Sequence, residues 1–183
     1  MNKPIGAFSP AGTNDPHTRY CDPFGVPQNM TNEIRGLQIA TMPNKVILLL
    51  QYMDVWREIW TDGRELQKDP DPHWYGYSVG KWKDDYTFVV DSNGTDERTW
   101  VDNAGRPHSE DLHVIEEFHR IDRDNLELTV TIDDPKYYSK PWVALDKLPF
   151  KLKPATFDLF DMMCSPSEVN AYNLKHAGPG AKR

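Results

Sequence analysis

The chain has 183 residues, a net charge of −7 and 38% hydrophobic side chains. That length is enough for one domain with a proper core. The acidic balance argues against nucleic-acid binding, which wants a basic face, and no apolar run is long enough to span a membrane.

Residues 1–36 are rich in Pro, Gly, Asn and Asp and lack sustained periodicity. They predict an extended N-terminal arm, of the kind that lies over a domain. The first twenty residues contain no apolar signal-peptide core, so the cytoplasm is the expected setting. Cys21 and Cys164 lie far apart in sequence. A bond between them would require export, and free thiols are the expectation in a reducing cytosol. No Cys-x-x-Cys spacing is present, so a zinc ribbon is not expected.

Short strands follow. Leu37–Thr41 and Val46–Tyr52 read as a hairpin about Pro43-Asn44. In Val55–Thr61, Trp56, Glu58 and Trp60 share one face, and Asp62-Gly63 ends the run. Pro70 and Pro72 keep residues 65–73 out of any central strand. Trp74–Lys83 and Tyr86–Asp91 predict a second hairpin about Asp84-Asp85, and Thr99–Asp102 a short strand. Val143–Lys153 closes the series. Ser165-Pro166 opens a short helix reaching Tyr172, because Ser caps well and Pro suits a first turn.

The clearest pair is central. Leu126, Leu128, Val130 and Ile132 alternate with polar residues, the period of a strand with two unlike faces. Leu112–Ile121 precedes it across Asp122-Arg123-Asp124-Asn125, good turn formers. A tight turn places Ile121 opposite Leu126. One face then holds Leu112, Val114, Glu116, Phe118 and Arg120 with Glu127, Thr129, Thr131 and Asp133. Two readings stay open for that face: a solvated surface with one cross-strand ion pair, or the polar lumen of a barrel with Glu116 and Asp133 partly desolvated.

Eight or nine short strands with little helix predict an all-β fold. The expectation is an antiparallel up-and-down β-barrel, lipocalin-like, with the extended arm before it and the short C-terminal helix after it. The barrel domain covers residues 37–175, and 176–183 form a flexible tail. A barrel of about eight strands has room for one small ligand.

Several stretches resemble a widespread, often exported bacterial protein family: REIWTDGR (Arg57–Arg64), DPDPHWYGYSVGKW (Asp69–Trp82), FVVDSNG (Phe88–Gly94), RTWVDNAGRPHSEDLHVIEEFHRID (Arg98–Asp122) and TIDDPKYYSKPW (Thr131–Trp142). The resemblance covers roughly Lys45 to Trp142, in the same order. It implies shared positions that include Arg57, Asp91, His108, Ser109, Glu116, Asp133, Tyr138 and Trp142, and it implies no particular activity. This chain departs from the family in lacking the export signal and in reading SNGTDERTW after Asp91.

Glu116, His108, Asp133 and Tyr138 are the catalytic candidates. Histidine and carboxylate side chains exchange protons near neutral pH, and a tyrosine can donate to oxygen. The plain alternatives are that His108 caps a turn, Glu116 neutralises Arg120, and the 136–142 loop only packs. Ser109 adjoins His108, which points the two side chains apart, and no nucleophile elbow is present. Arg57, Trp60, Trp82, Trp100, Phe118, Arg120, Lys140 and Trp142 are the expected substrate-binding residues. They mix aromatic walls with cationic contacts, the usual make-up of a ligand site. Glu117 and His119 share parity but have no third ligand in sequence, so no metal is expected, and no cofactor.

The resulting expectation is a hydrophobic, oxygenated small-molecule partner, polyketide- or terpenoid-like. The chemistry would be acid–base isomerisation, cyclisation or dehydration. The alternatives are a non-catalytic lipocalin-type binder and a filled structural barrel. Neither nucleic acid nor membrane is an expected partner, and a homodimer is allowed.

Overall fold

The computed structural model describes residues 15–32, 35–172 and 174–175. The fold is all-β. Eight strands form one curled sheet, a half-barrel, in the spatial order β1 to β8. They are β1 Leu37–Met42, β2 Lys45–Leu50, β3 Val55–Trp60, β4 Tyr77–Trp82, β5 Thr87–Asn93, β6 His113–Arg120, β7 Asn125–Asp133 and β8 Trp142–Lys151. The edge strands β1 and β8 are not paired with each other. The up-and-down pattern has one exception, because β3 and β4 run parallel through a single bridge, Trp60 to Val79. The proline-broken residues 61–76 carry the chain back between them. Thr99–Asp102, expected as a strand, is loop.

The sheet therefore has two unlike ends. At one, tight turns join β1 to β2, β4 to β5 and β6 to β7. Asp84 fixes the second of these by accepting from the backbone N–H of Tyr86 and Thr87 at 2.8 and 2.7 Å. At the other end lie the long connections and the N-terminal segment.

The segment expected as an extended arm folds instead into α1 Pro16–Tyr20 and α2 Gln28–Thr31. Asp15 caps α1 and Pro16 occupies its first turn, the usual helix-start chemistry. Burial explains why this segment is not a loose arm. Phe24, Val26 and Met30 are buried, and the last two are fully so. Thr31 Oγ1 donates to the carbonyl of Val101 at 2.5 Å. Cys21 and Cys164, expected as free thiols, are bonded with their Cα atoms 5.5 Å apart, a normal bridging distance. The bond ties α1 to a C-terminal strap that leaves the top of β8 and reaches the β2–β3 turn, where Met53 N–H donates to the carbonyl of Met162 at 2.8 Å. The expected C-terminal helix is present as α3, Pro166–Tyr172. Residues 1–14 of the expected arm and the expected 176–183 tail lie outside the described residues.

The central hairpin pairs one residue away from the expected register: Arg120, not Ile121, faces Leu126. The cause is the Asp122 carboxylate. It accepts from the backbone N–H groups of Asp124 and Asn125 at 2.8 and 2.9 Å and closes the turn one residue sooner. A one-residue slip moves every side chain of a strand to the other face. Val114, Glu116 and Phe118 consequently share the concave face with Leu128, Val130 and Ile132, all buried. Asp133, expected inward, lies on the convex face opposite His113.

The core fills the concave side. Val46, Leu48, Ile59, Phe88, Val90, Val114, Phe118, Leu128, Val130 and Ile132 pack there, with Val26 and Met30 closing the long-loop end. Of the tryptophans, Trp142 packs against it, half-buried beside Ile132. Trp56 and Trp82 are exposed, and Trp60 stacks outside under the Arg64 guanidinium, 3.6 Å from its ring centre.

Candidate functional site

Four strands send one polar side chain each to the middle of the apolar concave face. Arg57 comes from β3, Ser78 from β4, Ser92 from β5 and Glu116 from β6. Ser78 and Ser92 are directly opposed, and Glu116 is opposite Val90 and Val130. Arg57 and Glu116 form a two-pronged ion pair, Nη1 to Oε1 at 2.9 Å and Nη2 to Oε2 at 2.5 Å. Their side chains are 1% and 0% exposed. Arg57 Nε donates to Ser78 Oγ at 3.1 Å and Nη2 to Ser92 Oγ at 2.7 Å. The two hydroxyls are 2.9 Å apart.

The guanidinium fork is well suited to this, since it presents several fixed donors to a carboxylate and to flanking oxygens. The partner expected for Glu116, Arg120, is instead exposed and donates to the carbonyl of Asp122. Sequence reasoning put Arg57 and Glu116 in the site separately. It missed Ser78 and Ser92, whose only signal was a small polar residue at an inward position of two adjacent strands.

Above the ion pair, toward the tight-turn end, Phe88 and Phe118 are opposed. The Phe88 ring lies over Gly80, where an added Cβ would fall 2.3 Å from Phe88 Cζ and 2.7 Å from Ile59 Cγ2. Trp82 packs on Phe88 at 5.2 Å between ring centres and remains largely in solvent. Leu126, Leu148 and Phe150 are half-buried beside this layer. The enclosed lumen expected from the sequence is thus occupied by side chains. A small cavity near α2 measures about 10 Å³.

The other candidates lie at the long-loop end, in a separate cluster. His108 is buried, its Nε2 2.8 Å from Thr99 Oγ1 and its Nδ1 3.0 Å from the carbonyl of Ser109. Burial pulls its imidazole below the ordinary value, against the weaker pull of Asp134 and other nearby carboxylates. Asp134 accepts from Ser109 N–H at 2.5 Å and Ser109 Oγ at 2.9 Å, and so clamps the 108–112 loop to the β7–β8 connection. Tyr138 Oη donates to the carbonyl of Pro107 at 2.7 Å. Burial, assisted by Asp102 and Asp134, pushes its phenol up to about 12, and its ring meets Trp142 edge-on. Neither His108 nor Tyr138 is hydrogen-bonded to Glu116. Trp100 is half-buried in the loop, and Lys140 is exposed.

On the convex face, His113 Nε2 is 3.6 Å from Asp91 Oδ1 and opens on a polar groove of about 430 Å³ between residues 68–72 and 110–113. Glu117 pairs with Lys83 and His119 with Thr87, so the two side chains considered together for a metal go to different partners. Among the described residues, no helix is long and apolar enough to cross a membrane. No family model, no curated protein and no solved structure matches this chain.

Proposed function

We propose that this half-barrel binds a hydrophobic, oxygen-bearing small molecule on its concave face, entering at the tight-turn end. The observation that carries the reading is the buried Arg57–Glu116–Ser78–Ser92 network. Two desolvated charges in an apolar interior cost about as much as their pairing returns, so hydrophobic side chains would serve stability equally well. A network of donors under an aromatic rim is what an oxygenated hydrophobic ligand needs: apolar walls and a few placed polar groups. Side chains occupy the space, so binding displaces the Phe88 and Trp82 rings, and Trp82, already mostly in solvent, moves at little cost.

The test is a fluorescence titration with a hydrophobic probe such as anilinonaphthalene sulfonate, beside mass spectrometry of material extracted from the purified protein. Trp82→Ala should weaken binding by about tenfold, the loss of one well-packed aromatic contact. Equal affinity in the variant and the parent would sink the reading.

A second reading adds chemistry, on the observation that Glu116 touches the guanidinium a ligand oxygen would seek. A ligand that takes over Arg57 releases the Glu116 carboxylate as a base for isomerisation, cyclisation or dehydration. His108, Tyr138 and Asp133 lie away from that face and have no part in this step. Product formed by the parent and abolished in Glu116→Gln, with ligand still bound, distinguishes catalysis from binding alone.

The Cys21–Cys164 bond supports an oxidising compartment, where such bonds persist, over the cytoplasm expected from the sequence. Thiol titration of protein isolated from its own cells tests this: two free thiols would return it to the cytoplasm.

A further inference from the structure

Among the described residues, a few buried polar side-chain atoms lack a partner, and Asn29 is the side chain with two of them. It sits in α2, 8% exposed, and neither its Oδ1 nor its Nδ2 has a hydrogen-bond partner. Native structures rarely leave both ends of a buried amide empty, because each end loses its water and gains nothing. Asn29 lines a small cavity of about 10 Å³, whose other walls are Phe24, Arg35, Gly36, Leu50, Tyr52 and Tyr75.

Size and chemistry together select the occupant. A volume of that order is about what one water molecule needs. Asn29 offers a donor at one end and an acceptor at the other. A cation satisfies only the acceptor and an anion only the donor. Water satisfies both, and a volume of about 10 Å³ holds no more than one. The backbone N–H groups nearby are already used: Gly36 N–H donates to Gln51 Oε1 at 2.9 Å and Asn29 N–H to the carbonyl of Gly25 at 2.9 Å. Gly36 leaves no slack on its own side, since a Cβ there would fall 2.2 Å from Leu159 Cδ2.

We propose that this cavity is an internal hydration site, holding one water molecule between the two ends of the Asn29 amide and fastening α2 to the sheet. The site is independent of ligand binding on the concave face. It explains how a four-residue helix with two polar side chains, Gln28 and Asn29, both buried, seats Met30 in the core.

The experiment uses the full chain. In solution, cross-relaxation between the Asn29 Nδ2 protons and a long-lived water is read by NMR, and a crystal structure gives the density directly. The expected result is one water contacting both amide ends, with that signal lost in Asn29→Leu. The thermal midpoint of Asn29→Leu should fall, because the hydrated pair is removed. An empty cavity, an Asn29 amide bonded to protein atoms, or an Asn29→Leu variant more stable than the parent would each overturn the proposal. The measurement on the parent needs no variant, so it decides the matter even if Asn29→Leu does not fold.

Discussion

Removing one member of the Arg57–Glu116 pair should be far more damaging than removing both. In Glu116→Gln the guanidinium stays buried, keeps its hydrogen bonds to Ser78 and Ser92, and loses the carboxylate it pairs with. Breaking a buried pair in this way costs about 3–5 kcal/mol. For a chain of this size, about 2–4 °C is lost per kcal/mol, so the midpoint should drop by roughly 6–20 °C. Replacing both residues, Arg57→Met with Glu116→Met, removes both desolvated charges and leaves Ser78 and Ser92 to bond each other at 2.9 Å. The double variant should return to within about 2 kcal/mol of the parent, since apolar substitutes for a buried pair are often neutral. Denaturant unfolding of the parent, both single variants and the double variant gives the coupling directly, with an unchanged denaturant slope confirming that the same surface is exposed. Single changes costing less than about 1 kcal/mol and simply adding would refute the reasoning. A double variant that folds normally yet no longer binds the hydrophobic probe would show that the pair is kept for the ligand.

Burial holds the His17 and His108 imidazoles below their ordinary value. The unfolded chain then takes up protons first, so stability is complete above about pH 6.5 and is lost as the pH falls below it toward the folded-state values. Thermal midpoints between about pH 7.5 and pH 5 should show this, with a shallower fall in His108→Gln; a flat profile would contradict it. Gly80→Ala should cost about 1–3 kcal/mol, because the new methyl collides with Phe88 and Ile59, and overpacking of this kind carries that penalty. Its check is denaturant unfolding, and a neutral result would mean the Phe88 ring swings away freely. Reducing the Cys21–Cys164 bond releases a closure across 143 residues, which should lower stability by roughly 3–5 kcal/mol. Protease cleavage should then appear first in the α1–α2 segment and the strap, and an unchanged cleavage pattern would mean packing alone holds them.

Much of the fold was legible in the sequence because it depends on local chemistry. The apolar run at Val46–Leu50 and the period-two run at Leu126–Asp133 gave strands, Asp84-Asp85 gave a turn, and Ser165-Pro166 gave the start of α3. Arg57 and Glu116 were named as site residues, but their pairing was not. They lie 59 residues apart, and only the sheet order β3-β4-β5-β6 brings their side chains to one point. The hairpin register was missed for a different reason. It hung on one carboxylate, Asp122, choosing which N–H groups to cap, and that choice decided which face Asp133 would occupy.

The sequence by itself determined the strands, their alternation and most of their turns, since these follow from side-chain spacing and backbone preference within a few residues. Tertiary structure alone decided that α2 is core, that Cys21 meets Cys164, and that a guanidinium, a carboxylate and two hydroxyls are sealed under Phe88 and Phe118. Those outcomes depend on which distant surfaces lose their water together, and no local pattern records that.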